Sequence, residues 1–172
     1  TQPMFAVYVA LDVDLRERDT PPLAWVWPNN DVDGYYREVE AGRCPEQMPV
    51  GISCPTAKDP LGTHSAPPGY STLELVSWAP KEHAFWNVDS DPMEGAEYGR
   101  DEKYRALKDE LTERVLDTAS LMIPDLRERM VFCEASTPMT QERFTLTSDG
   151  SCYGIAPLLK NLGPFRPKVT TH

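Results

Sequence analysis

A few side chains in this sequence could take part in chemistry, although none stands in a familiar catalytic motif. Cys152 and His64 could form a thiol–imidazole pair, but such pairs are defined by their geometry in space and nothing local supports this one. Asp12 and Asp14 alternate near a predicted strand end, and paired carboxylates can perform acid–base work. Carboxylates in such places more often form turns and caps. The sequence therefore names no catalytic residue.

The spacing of glycines and cysteines argues against two common cofactor sites. Ten glycines are present and no two form the G-x-G pair that lets a backbone approach a dinucleotide's diphosphate. The four cysteines form no C-x-x-C pair, so we expect no metal site. Cys54 follows Ile52, and Cys133 follows an apolar pair, so we expect buried thiols and a cytoplasmic location. Two disulfides in a secreted chain are the alternative.

The elements that must position these side chains follow from the apolar patterning. Alternating or β-branched runs predict five strands, over residues 4–13, 23–27, 50–54, 70–78 and 129–135. Apolar steps of three and four, together with N-cap signals at residues 29–31 and at Thr137, predict helices over residues 29–41, 99–122, 125–129 and 137–143. Residues 55–69 are predicted to form a loop, and residues 81–91 an irregular segment.

This order of elements predicts the α+β class. Short connections favour an antiparallel or mixed sheet of about five strands, with one long and two or three short helices packed on it. Both sides of residues 4–13 are apolar, so we expect this strand to lie inside the sheet.

The charge of the chain limits the kinds of partner that it can have. The formal net charge is -10, with 27 acidic against 17 basic residues. Because phosphate backbones are bound by Lys and Arg, and no basic stripe is present, we expect no nucleic-acid partner. No apolar run approaches the roughly 20 residues of a membrane span. Peripheral membrane association of the full-length protein is left open.

One stretch combines a helix cap, a tight turn and an aromatic residue. It contains Thr137-Pro138-Met139-Thr140, then Arg143-Phe144, then Asp149-Gly150-Ser151-Cys152-Tyr153-Gly154. Taken alone, these residues predict a cap, a turn and a strand. The stretch also resembles the segment before the last flavin-contacting motif in the phytoene desaturase and retinol saturase family. Residues 165–170, 7–12 and 67–69 resemble further short motifs of that family, in the same order along the chain.

The resemblance implies a function and an incomplete cofactor site. Residues 1–172 would be the substrate-binding portion of a flavin-dependent oxidoreductase whose Rossmann-type parts are not included. FAD would belong to the full-length protein and would not bind this segment alone, which we expect to be inactive. The substrate would be an apolar isoprenoid, carotenoid or retinoid, and the partner would be the remainder of the same chain. Thr137, Pro138, Tyr153 and Gly154 match family positions that lead toward the flavin.

Four aromatic residues are candidates for lining a substrate tunnel: Trp25, Trp27, Phe85 and Trp86. The alternative is that they are ordinary core residues, because aromatic side chains dominate most cores. A second function also fits the aromatic residues and the long Pro- and Gly-containing loop. The chain would then be a self-contained lipid- or protein-binding module without redox activity.

Overall fold

The structure is a computed structural model that describes residues 3–62, 64–95, 97–153 and 158–165. The strands are β1 (Met4–Leu11), β2 (Leu23–Val26), β3 (Val50–Ser53), β4 (Ser71–Trp78) and β5 (Met130–Ser136). The helices are α1 (Val32–Glu40), α2 (Pro55–Lys58), α3 (Glu102–Ser120), α4 (Leu126–Arg129) and α5 (Pro138–Thr145). These elements confirm the predicted α+β class, with one long helix and several short ones.

The strands form one antiparallel sheet in the order β2-β3-β4-β1-β5. The pairing of β1 with β4 runs from Met4 opposite Trp78 to Leu11 opposite Ser71. On its other side β1 pairs with β5, where the register shifts between Ala10 and Leu11. β1 therefore lies inside the sheet, as predicted, and β2 and β5 are its two end strands in the described part of the chain.

The two faces of the sheet differ in burial. Phe5, Val7 and Val9 of β1 are buried, and buried and half-buried residues alternate along β4. We call the face with the buried residues the inner face. α3 packs there because its apolar residues recur at steps of three and four along one side of the helix. The opposite side chains of β1 and β4 point away from α3, because successive strand residues point to opposite faces.

Local hydrogen bonds explain where the helices begin and end. The Asp101 carboxylate accepts from the backbone N–H groups of Lys103 and Tyr104, at 2.8 and 3.0 Å. This N-cap starts α3 at Glu102, later than the predicted residue 99. Gly42 follows α1 with φ +75°, which is the left-handed position that the sequence predicts for it.

One stretch that the sequence predicts to be loop is partly helical. Within residues 55–69, the short helix α2 follows directly from β3, with Pro55 at its first position. The buried Thr56 hydroxyl accepts from the backbone N–H of Thr72, at 3.1 Å. This long-range bond ties α2 to β4, which local residue preferences cannot reveal. Likewise, residues 81–91 contain a 3₁₀ turn over His83–Trp86.

A pair of leucines tests the packing of α3 on the inner face. Leu111 is fully buried, whereas Leu121, just after the helix, is 67% exposed. We expect Leu111→Ala to lower the free energy of unfolding by about 2–5 kcal/mol, because it leaves a cavity in the core. Leu121→Ala should change it by less than about 0.5 kcal/mol. Urea unfolding followed by circular dichroism measures both, and equal losses would contradict this packing.

Candidate functional site

The face of the sheet opposite α3, which we call the outer face, is the candidate site. The strand pairings place three cross-strand rows of residues on it: Trp25-Gly51-Val76-Ala6-Ser136, Leu23-Ser53-Glu74-Tyr8-Glu134 and Thr72-Ala10-Phe132. Tyr8 is 43% exposed, Trp25 42% and Phe132 54%. These three partly exposed side chains lie on three different strands of this face.

Aromatic rings are concentrated at one end of the outer face. The indole of Trp25 stacks on that of Trp78, with ring centroids 4.6 Å apart and planes 12° apart. Tyr36 of α1 lies 4.9 Å from Trp78, and Trp27 lies 6.3 Å from it. We call these four residues the aromatic cluster. The planes of Trp27 and Tyr36 are tilted by 32° and 57° from that of Trp78, so the cluster is aromatic but not flat.

Gly51 makes the stacking of Trp25 on Trp78 possible. A Cβ at Gly51 would lie 3.0 Å from ring carbons of Trp25 and 3.0 Å from a methyl group of Val76. The indole therefore lies across β3 in the space that a side chain would occupy. A larger residue at this position would therefore require Trp25 or Val76 to shift.

A short polar row crosses the middle of the outer face. Tyr8 of β1 lies between Glu74 of β4 and Glu134 of β5. The Glu134 carboxylate accepts from the Lys108 ammonium at 2.6 Å, and this bond lowers its pKa. Burial, and then the charge of Glu74, raise the pKa of Tyr8. The phenol therefore stays protonated at neutral pH.

Glu74 differs from Glu134 in having no partner among the residues that the structure describes. Among the described residues, no cation forms an ion pair with the Glu74 carboxylate and no group donates a hydrogen bond to it. The Tyr8 hydroxyl likewise has no hydrogen-bond partner within the described chain. Both groups are therefore available to a ligand that lies on this face.

Phe85 and Trp86 lie on the other side of the sheet from Trp25. Trp86 is 0% exposed, stacks on Phe5 at 6.0 Å, and donates from Nε1 to the carbonyl oxygen of Pro80 at 2.8 Å. Phe85 packs edge-on against Trp86 at 5.1 Å. The structure thus brings Trp25 and Trp27 together and separates them from this second pair. The tunnel-lining role of all four stays a prediction.

The four flavin-proximal candidates lie at and beyond the start of α5. The Thr137 side chain is the N-cap of α5, accepting from the backbone N–H of Thr140 at 3.2 Å, and its hydroxyl lies 2.8 Å from that of Tyr104. Pro138 is the first helical residue, so the predicted cap geometry is confirmed. Tyr153 is exposed, and Gly154 lies outside the described residues. Their proximity to a flavin stays a prediction.

A concave region, separate from the aromatic cluster, lies between α3, β5 and α5. Its volume is about 440 Å³, and its lining includes Arg105, Lys108, Cys133 and Arg143. Burial raises the pKa of the Cys133 thiol, and the nearby Glu113 and Glu134 carboxylates add to this effect. Since the thiolate is the reactive form, this environment does not favour nucleophilic chemistry at Cys133.

The described residues do not fit the diphosphate of a flavin dinucleotide. The two longer helices, α1 and α3, each begin with an aspartate N-cap, Asp31 and Asp101. A carboxylate there occupies the free N–H groups and repels a phosphate, whereas a dinucleotide site needs those groups unoccupied. In α5 the cap Thr137 is buried. None of these three helix starts, within the described residues, therefore offers a diphosphate site.

The described residues offer neither a metal site nor a membrane-spanning helix. They contain no group of three or more His, Cys, Asp or Glu side chains that could hold a metal ion. None of the helices in this part of the chain has both the length and the apolar character needed to cross a membrane. Cys44, Cys54 and Cys133 are thiols. The predicted cytoplasmic location stays a prediction.

Comparison with known proteins finds two similar reductases. All-trans-retinol 13,14-reductase of Danio rerio is 25% identical over 134 residues, which are 76% of this chain and 21% of the relative. The protein of the same name from Macaca fascicularis is 24% identical over 171 residues, which are 96% of this chain and 27% of the relative. The chain therefore spans about a fifth to a quarter of the length of these curated relatives. No protein-family model matches it.

The similarity supports the predicted resemblance to retinol saturases. Both relatives are retinol reductases by name, so the chain is similar to oxidoreductases that act on a retinoid. The sequence did not single out Tyr8, Glu74 or Trp78 as site residues. The alternating patterns of β1 and β4 could have placed these side chains on one face of the sheet. Only the pairing of β1 with β4 shows that Tyr8 and Glu74 are neighbours.

The pKa of Tyr8 provides a test of the polar row. Glu74→Gln removes a negative charge that opposes ionisation of the phenol, so we expect the pKa of Tyr8 to fall toward its ordinary value of 10.0. Titration of the Tyr8 ring carbon by NMR measures this change. Glu128→Gln, at an exposed residue of α4, removes the same charge elsewhere and should leave this pKa unchanged. An unaltered titration in Glu74→Gln would refute the contact.

Proposed function

We propose that this chain is the substrate-binding portion of a flavin-dependent oxidoreductase that acts on a retinoid or a related isoprenoid alcohol. The outer face of the sheet forms one wall of the substrate site. The remainder of the full-length protein forms the opposite wall and holds FAD, which supplies the hydrogen-transfer chemistry when bound. By itself the segment is inactive, because its described residues do not fit the flavin diphosphate.

One observation carries this proposal: a chain similar to retinol reductases has a sheet face on which aromatic rings remain partly exposed. Ligand sites are mostly apolar and carry few polar groups. The aromatic cluster and the short polar row on the outer face have this composition. The residues of this chain would therefore bind and orient the substrate and exclude water from it.

The full-length protein tests the cofactor part of the proposal. We expect it to purify with bound FAD, or to take up FAD on reconstitution, and to reduce all-trans-retinol when an electron donor is supplied. A full-length protein that cannot be loaded with FAD would defeat the proposal. Binding of retinol without FAD binding would favour a lipid-binding module instead.

A second experiment tests the place of the substrate. In the full-length protein, Trp25→Ala should raise the KM for all-trans-retinol by about 10-fold, because loss of an aromatic stacking surface costs about 1–1.5 kcal/mol. Leu61→Ala, at a residue that is almost fully exposed in the connection before β4, is the control and should leave KM unchanged. Equal KM values in the two variants would remove Trp25 from the substrate site.

A further inference from the structure

The Glu74 carboxylate is unusual in its surroundings on the outer face. Its strand neighbours on that face are Val76 and Thr72, and across the row it adjoins Tyr8 and Ser53. It is half-buried and, within the described chain, has neither a cation nor a hydrogen-bond donor. A carboxylate on a protein surface loses its water when that surface is covered, and it then needs a donor.

The chemistry of Tyr8 and Glu74 limits which ligand group can satisfy them. A carboxylate only accepts hydrogen bonds, whereas a protonated phenol can both donate and accept. An alcohol hydroxyl can donate to Glu74 and accept from Tyr8 at the same time. A ligand carboxylate would be repelled by Glu74, and a plain hydrocarbon would leave both groups without a partner.

The outer face would also fix the orientation of such a ligand along β4. Glu74 and Trp78 are four residues apart on β4, which corresponds to about 13 Å along an extended strand. A ligand whose hydroxyl lies at Glu74 would thus extend its carbon chain past Val76 toward the aromatic cluster. The polar and apolar ends of an isoprenoid alcohol match this arrangement.

We propose that Glu74 and Tyr8 form an alcohol-recognition pair that selects the hydroxyl form of an isoprenoid substrate and rejects the corresponding carboxylic acid. This inference rests on the proposed function and adds to it the specificity-determining residues and the orientation of the substrate. Glu134 does not share this role, because its charge is already neutralised by Lys108.

The test compares the binding of two ligands to the full-length, flavin-loaded protein. Dissociation constants for all-trans-retinol and all-trans-retinoic acid are measured for the wild type, Glu74→Gln, Tyr8→Phe and Glu128→Gln. We expect the wild type to bind the alcohol more tightly than the acid. Glu74→Gln should reduce this preference by about 5-fold or more, mainly through tighter binding of the acid, since removing one close like charge is worth about 1 kcal/mol or more.

The other two variants separate hydrogen bonding from net charge. Tyr8→Phe should weaken retinol binding by about 2- to 10-fold, which corresponds to one hydrogen bond, with a smaller effect on the acid. Glu128→Gln removes the same charge from an exposed place on α4 and should keep the wild-type preference.

Two outcomes would overturn the inference while leaving the proposed function intact. One is a wild type that binds the alcohol and the acid equally well. The other is a Glu74→Gln variant whose preference for the alcohol is unchanged. This second result is expected if a cation from elsewhere in the protein neutralises Glu74. A protein that binds neither ligand would instead contradict the proposed function itself.

Discussion

The pairing of β1 with β4 is the constraint on which the rest of the structure depends. It continues without a break over eight residue pairs, from Met4 opposite Trp78 to Leu11 opposite Ser71. Because side chains alternate between faces, this one register places Phe5 and Leu75 beneath α3 and places Tyr8 beside Glu74. A slip of one residue would exchange the two faces, exposing the core and burying a carboxylate.

The two faces satisfy their polar groups in different ways. On the inner side, the Tyr35 hydroxyl donates to the carbonyl oxygen of Trp78 at 2.6 Å, and the Thr118 hydroxyl donates to that of Met48 at 2.8 Å. Both bonds lie within the chain and need no ligand. On the outer side, Tyr8 and Glu74 depend on solvent. The inner face therefore satisfies its named polar groups within the chain, whereas Tyr8 and Glu74 on the outer face contact solvent.

Much of the fold could be predicted from local patterns. Alternation identified the strands, apolar steps of three and four identified α3, and Thr137-Pro138 identified the start of α5. Each of these signals lies within a few neighbouring residues. The short helix α2 was missed because the bond that holds it, from the backbone of Thr72 to Thr56, joins segments distant in the sequence.

The candidate site was less predictable because it is assembled from separate strands. Trp25 and Trp86 look alike in the sequence, yet one stacks on Trp78 on the outer side and the other stacks on Phe5 in the core. Only the assembled sheet shows which of the two tryptophans lies on the outer face and which lies in the core. For the same reason the relation of Tyr8 to Glu74 could not be read from either residue's local context.

The end position of β5 has a consequence for handling the segment in isolation. Within the described sheet β5 is hydrogen-bonded to β1 on one side, and its Val131 and Phe132 side chains are exposed. An unpaired strand edge with apolar side chains is a template for adding strands from other molecules. Because no described residue pairs with this edge, the chain by itself would tend to self-associate along β5.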